Sequence, residues 1–283
     1  MPDLVPVRPV DYLVIGHLSL DTTPEGLAPG GTAAYASLTA QALGLRVGLV
    51  TSTGPGCDVS LLDGLQLRNV PAQATTAFEN VYSTDGRQQW LHARAAEIGP
   101  DHIPRAWRSA AIVHLGPIAA EVDPALADQF AGALVGVTPQ GWMRAWDEQG
   151  RVRQQPWRPA PAVLNAAGAV VLSLEDLQGD EVAVEELAQL FRLLVVTDAA
   201  HGARVYWNRD LRHVPAPAVT EVDPTGAGDV FAAAFFIRMH QTRDPWEAAR
   251  FANALASASV TRRGIAGVPT PAEIESAGLQ VLP

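Results

Sequence analysis

Short apolar runs recur along this chain at intervals that leave room for a helix between them. Asp11 to Ile15 (DYLVI), Arg46 to Thr51 (RVGLVT), 111–116 (AIVHLG), 133–138 (ALVGVT), 169–174 (AVVLSL) and 193–197 (LLVVT) all have strand length. They are apolar throughout rather than alternating, as strands buried on both faces are. Helix-like stretches lie between them, among them 30–44 (GGTAAYASLTAQALG), which stops at Gly44, and 181–191 (EVAVEELAQLF). The alternation predicts an α/β fold: a mostly parallel central sheet covered by helices on both faces. No fixed-period repeat and no low-complexity linker divides the sequence, so residues 1–283 read as a single domain. With 48 % apolar and 18 % charged residues, the chain can bury a sizeable core, which excludes wholesale disorder.

Two segments depart from the alternation. Residues 77–91 (AFENVYSTDGRQQWL) form two extended runs around Asp85-Gly86, a strong hairpin signal. Phe78, Asn80 and Tyr82 share one face of it, which reads either as an exposed edge or as a flap over a site. Residues 206–214 (YWNRDLRHV) form a plainer hairpin at a sheet edge. The end of the chain is helical. Asp244 is a good N-cap, Pro245 suits the first helical position, and Glu247 is placed to complete a capping box.

Charge removes several function classes. The formal net charge is -10 with no basic block, which argues against nucleic acid as a partner. All twenty basic residues are arginine and none is lysine. A lysine-bearing phosphate loop, a protein-kinase site and Schiff-base chemistry are therefore excluded. Phosphate must be handled by backbone amides, arginine or a metal ion. Cys57 is the only cysteine, which rules out an internal disulfide and a cysteine-rich zinc site. Asp3 and Asp11 precede any apolar run, unlike a signal peptide, and no stretch has the length of a membrane span. The expectation is a cytoplasmic protein with no membrane partner.

Residues 225–229 (TGAGD) carry the chemistry. Gly226 and Gly228 let the backbone turn freely ahead of the apolar run VFAAAFFIRM. The free amides of the helix start, together with its dipole, make an anion site. Asp229 lies inside that first turn. An isolated acid there would ordinarily only stabilise the helix, but this helix is apolar nearly all round and hence buried. An acid beside an anion cradle suits phosphoryl transfer to a hydroxyl. An ordinary aspartate, with a pKa near ~3.9, is a weak base for an alcohol. This matters little where the transition state is loose and positioning dominates.

The stretch DPTGAGDVFAAAF resembles the C-terminal signature of the ribokinase family, the PfkB-type carbohydrate kinases. GGTAAYASLTAQALGLRVGLVTSTGPGCD (30–58) resembles the N-terminal signature, and FANALASASVTRRGIAGVP (251–269) the border of the nucleotide pocket. The resemblance implies a three-layer α/β/α sandwich with a small β lid, formed mainly by about 72–95. It implies transfer of the γ-phosphoryl group of ATP, with Mg2+, to a hydroxyl of a small sugar or polyol. A monovalent cation is an open possibility, as is a monomer or a homodimer. Asp229 would be the base, and the amides of Gly226, Ala227 and Gly228 the anion hole. Asp21, Gly30, Gly31, Thr32, Tyr35 and Asn80 would line the acceptor site, and Thr197, Gly202, Thr225 and Asn253 the nucleotide. Asp176 would order the metal through water.

Four departures from the family pattern stand out. Tyr35 replaces the usual asparagine. The strand-end motif T-x-G-x-x-G reads Thr197-Asp198-Ala199-Ala200-His201-Gly202. The Asn-x-x-Glu motif reads Ser173-Leu174-Glu175-Asp176. Only eight residues separate Asp21 from Gly30, which predicts a small lid. Some members place lysine after the double glycine, where this chain has Thr32. The alternatives are a nucleoside kinase, with Tyr35 and Phe78 stacking on a base, or a catalytically weakened sugar- or nucleotide-binding protein. His201 is a lesser phosphate candidate and Arg87 and Arg144 are the best cationic ones. Trp142, Trp146 and Trp157 are expected to pack against strands.

Overall fold

The computed structural model describes residues 7–23, 26–83 and 86–279. The first half of the chain supplies β1 (Tyr12–Ile15), β2 (Ser19–Thr23), β3 (Gly26–Gly30), α1 (Thr32–Ala42), β4 (Val47–Thr53), β5 (Gln66–Pro71), β6 (Thr76–Ser83) and β7 (Gly86–Ala93). The second half supplies β8 (Ile112–Leu115), β9 (Leu134–Val137), β10 (Arg144–Trp146), β11 (Val152–Gln154), α2 (Pro161–Ala166), β12 (Ala167–Ser173), α3 (Glu181–Leu190), β13 (Leu193–Thr197), β14 (Ala203–Trp207), β15 (Asp210–Val214), α4 (Ala227–Thr242), α5 (Pro245–Ser259) and α6 (Pro271–Leu279).

Nine strands form one sheet in the order β15-β14-β13-β12-β9-β8-β1-β4-β5. The run from β13 to β5 is parallel; the β14–β15 hairpin is antiparallel and closes one edge, as its sequence predicts. Side chains alternate along each strand, so β1 sends Tyr12 and Val14 to one face and Leu13 and Ile15 to the other. The first face packs on α1, α4, α5 and α6, and the second on α2, α3 and the single-turn helices. These are the three layers expected.

The chain leaves β1 toward β4 on one side and returns to β8 on the other. The crevice at the C-terminal ends of β1 and β8 is therefore a topological switch point, where open α/β sheets bind ligands. Helix α4 lies across this region, buried from Val230 to Ile237 as its all-round apolar sequence requires. Asp244 caps α5 by accepting from the amides of Trp246 (2.9 Å) and Glu247 (3.3 Å), a device worth about 1 kcal/mol. The expected capping box is not completed. Glu247 instead receives the guanidinium groups of Arg238 (2.8 Å) and Arg250 (3.1 Å).

A second sheet, in the order β3-β2-β6-β7, stands over this crevice. Its longest strands, β6 and β7, fall within 72–95, and β2 and β3 join them from the short interval around Asp21 and Gly30. β2 pairs parallel with β6, so that Asp21 stands opposite Phe78. The β6–β7 hairpin forms as predicted, although Asp85 of its turn lies outside the described residues, as do the side chains of Tyr82 and Arg87. Trp142 and Trp157 stack on each other and Trp157 on Phe191, packing on the second face of the sheet as expected.

Candidate active site

Gly226 is the N-cap of α4 and adopts φ 79°, a left-handed conformation that glycine tolerates best. A Cβ there would also collide with the ring of Tyr35. The turn is fixed from below by Asp223, whose carboxylate accepts from the amides of Thr225 (3.0 Å) and Gly264 (2.8 Å). Burial works to raise the Asp223 pKa, but these hydrogen bonds and the charge of Arg263 leave it below its ordinary value. The Ala227 amide donates to Pro224 O at 3.2 Å. This bond closes the turn ahead of Gly228 and Asp229.

Asp229 follows in the first turn. Burial pushes its carboxyl up to about 6. A hydrogen bond from the Thr32 hydroxyl and the charge of Arg144 pull the other way, while Asp176 and Asp21 push further up. Four side chains from distant parts of the chain thus act electrostatically on one carboxyl group. Thr32 is only 3 % exposed, and its hydroxyl works to lower the Asp229 pKa.

Asp21 faces this group from β2. Ser19 Oγ donates to its Oδ1 at 3.3 Å, and Oδ2 lies against Gly30, where a Cβ would collide with it. The expected neighbours Asp21, Gly30 and Gly31 therefore do come together at the base of the lid. Asn80, on β6, accepts from Gln89 Nε2 at 2.9 Å across the lid hairpin. Tyr35 is 2 % and Phe78 3 % exposed. Tyr35 packs on Gly226, and its phenol is held neutral, raised first by burial and then by the charges of Asp229, Asp223 and Asp21. Phe78 is covered by the Arg144 guanidinium at 5.2 Å. Neither ring offers an open face to a base.

The residues expected on the nucleotide side lie on β13, the turn after it, α5 and the start of α4. Thr197 ends β13, and the turn after it closes through Asp198 N to Gly202 O at 2.8 Å. Gly202 has φ 94° and Ala199 has φ 42°. Ala199 stands where the resembled motif carries glycine, so the turn keeps its left-handed conformation with a methyl group where glycine has none. His201 is exposed and paired with Asp198 at 3.2 Å. Asn253 is buried, and its amide donates to Val214 O at 2.8 Å, shaping the loop that leads toward Thr225. Thr225 itself is exposed. Asp176 is 8 % exposed, accepting from Gln140 Nε2 (3.1 Å) and from Ser173 N (3.0 Å). Among the described residues no group of three acids, histidines or cysteines could hold a metal directly.

Asp229 in the first turn of α4, the turn at Gly226 ahead of it and Asp21 on the second sheet thus stand together at one end of the crevice. The profile of the pfkB family carbohydrate kinases matches residues 159–272. The cytidine kinase of Thermococcus kodakarensis is 30 % identical over 80 % of this chain and 87 % of its own length. Fructokinase-1 of Oryza sativa subsp. japonica is 27 % identical over 94 % of this chain and 93 % of its own. A solved pyrophosphate-dependent kinase in the ribokinase family superposes with a TM-score of 0.79 at 19 % identity, covering 94 % of this chain and 99 % of that one. The chain belongs to the pfkB family of carbohydrate kinases, and by that membership is an ATP-dependent phosphotransferase.

Proposed function

We propose that this kinase transfers the γ-phosphoryl group of ATP to a hydroxyl of a small sugar or polyol held between Asp21 and Asp229. The observation that carries the reading is the pairing of a desolvated Asp229 with the open amides of Gly226 and Gly228 in one helix turn. The acceptor oxygen forms its bond to the γ-phosphorus as the bond from that phosphorus to the β,γ-bridging oxygen breaks. Asp229 takes the hydroxyl proton, and ADP leaves. A carboxyl raised to about 6 is a better base than an ordinary aspartate yet still ionised at neutral pH. The amides and the α4 dipole stabilise charge on the moving group with no side-chain cation, which suits a chain without lysine. Asp21 accepts from acceptor hydroxyls, and bare Gly30 lets it lie flat against the floor.

Magnesium supplies charge neutralisation on the ATP phosphates when bound. Asp176 fits an indirect role: it is buried near Asp229, and each of its oxygens keeps a lone pair for an ordered water. The covered rings of Tyr35 and Phe78 remove the stacking platform that a nucleoside acceptor would use. The formed TGAGD turn weighs against a pure binder. The test is phosphoryl transfer from Mg-ATP to D-ribose, D-fructose, myo-inositol and cytidine. Transfer to a sugar or polyol is expected. Transfer to cytidine alone would overturn the acceptor class, and ligand-induced thermal stabilisation without transfer would overturn the activity.

A further inference from the structure

Glu121 is 1 % exposed and takes no part in the chemistry above. Its Oε1 accepts from the His17 amide at 2.9 Å. Its Oε2 accepts from the amides of Ile118 at 3.0 Å and Ala119 at 2.7 Å. One side chain thus joins the segments that leave the C-terminal ends of β1 and β8, the two walls of the ligand crevice. The first segment runs directly into Ser19 and Asp21. The second places Ile118 beneath Gly31 and, with Ala119, into a small buried cluster with Phe78 and Leu91 of the lid.

His17 carries the bridge further. Its Nε2 meets Ala96 O at 2.8 Å; a carbonyl only accepts, so Nε2 bears the proton. Nδ1 then accepts from the Thr76 hydroxyl at 2.7 Å, and the Thr76 oxygen accepts from Ala95 N at 3.0 Å. Thr76 opens β6, and Ala95 and Ala96 follow β7. The carbonyls of the second segment are tied as well: Arg144 donates to Ile118 O (2.9 Å), and Arg94 to Ala119 O (2.8 Å) and Ala120 O (3.0 Å). Three of the passages between lid and main sheet therefore meet on one hydrogen-bonded hub. An apolar residue at 121 would fill the space but leave three buried amides unpaired, so the carboxylate is what holds the hub together.

We propose that Glu121 is a positioning residue for the acceptor, fixing Asp21 and the base of the lid in register with Asp229 through the His17, Ile118 and Ala119 amides. The inference rests on the acceptor lying between Asp21 and Asp229. Small displacements of a bound reactant cost much rate, about 10²-fold for 1 Å.

Glu121→Gln keeps the shape and offers an amide N–H where an acceptor is needed. With whichever of D-ribose, D-fructose, myo-inositol or cytidine the wild-type enzyme phosphorylates, kcat/KM for the acceptor is expected to fall roughly 10²-fold, with KM for ATP within about twofold. Hydrogen–deuterium exchange of the ligand-free protein is read in parallel. Exchange is expected to quicken roughly tenfold or more over 16–21 and 76–80 and to stay unchanged over β12 and β13. Thr76→Val breaks the same bridge one bond further out and is expected to repeat the pattern at smaller amplitude, even if Glu121→Gln does not accumulate as folded protein. Unchanged exchange over 16–21, or a loss shared equally by acceptor and ATP, overturns the proposal. If the wild-type enzyme phosphorylates none of the four, the acceptor reading fails, and the exchange comparison still decides the role of Glu121.

Discussion

The Thr32 hydroxyl, on the first residue of α1, favours the ionised form of the Asp229 carboxylate in the first turn of α4 and so opposes the burial that raises its pKa. Thr32→Val removes this donor at nearly constant volume. The acid limb of the kcat/KM profile is expected to move up from about 6 by roughly half to one unit. Thr32→Ser should restore it. Initial rates between about pH 5 and 9 check this. An unmoved limb in Thr32→Val would show that the hydroxyl does not tune the base.

Gly226 and the Tyr35 ring occupy one space. Gly226→Ala combines a left-handed φ of 79° with a collision against that ring. It is expected to destabilise by about 1–3 kcal/mol and to lower kcat by roughly 10²-fold or more. Adding Tyr35→Asn removes the collision but not the backbone strain, so the double variant should recover part of the stability and little of the rate. Denaturant midpoints and kcat of the three variants check both halves.

Ala199 holds φ 42° in the turn after β13. Most substitutions to glycine weaken a fold, but a left-handed alanine carries a strain of about 1 kcal/mol that glycine relieves. Ala199→Gly is therefore expected to leave the melting temperature unchanged or raise it by about 2 °C. The variant should not weaken ATP binding. A clear drop in melting temperature would mean that the turn does not hold this conformation.

Asp229 binds its proton more tightly when folded than when unfolded, since its pKa rises to about 6 from an ordinary 3.8. Above pH 6 its partly buried charge therefore opposes folding, and the penalty fades as the pH falls toward 4. Asp229→Asn should melt a few degrees above wild type at pH 8, with the gap closing near pH 4. His114, pushed down to about 3 by burial, works in the opposite sense. The unfolded chain takes up its proton below about 6.5 and the folded chain does not, so both proteins lose stability as the pH falls below that value.

What the sequence disclosed follows from how local each signal is. The six apolar runs became sheet strands, and α4 and α5 began where TGAGD and Asp244-Pro245 placed their starts, because these patterns are complete within a few residues. β2 and β3 were missed. Their residues, SLDTT and GLAPG, are polar or glycine-bearing; β2 gains its strand character by pairing Ser19–Thr22 with Thr76–Glu79 far along the chain, and β3 by pairing with β2. The β10–β11 hairpin was missed because its strands are only three residues each, too short for a pattern to show. That Asp229 falls in the first turn of α4 was legible from TGAGD and the apolar run behind it. The effect of the Thr32 hydroxyl on Asp229 and the bonds from Glu121 to three amides were not, since a side chain's partner across the fold leaves no mark in its own neighbourhood.

The central claim is that Asp229 takes the acceptor's proton in a phosphoryl transfer from ATP, and turnover by Asp229→Asn tests it most directly. With the preferred sugar or polyol and Mg-ATP, the variant is expected to lose roughly 10³-fold or more in kcat. Its KM for ATP should stay within about threefold of wild type, because the amides of Gly226 and Gly228 are untouched. Turnover within about tenfold of wild type would contradict the assignment of the base.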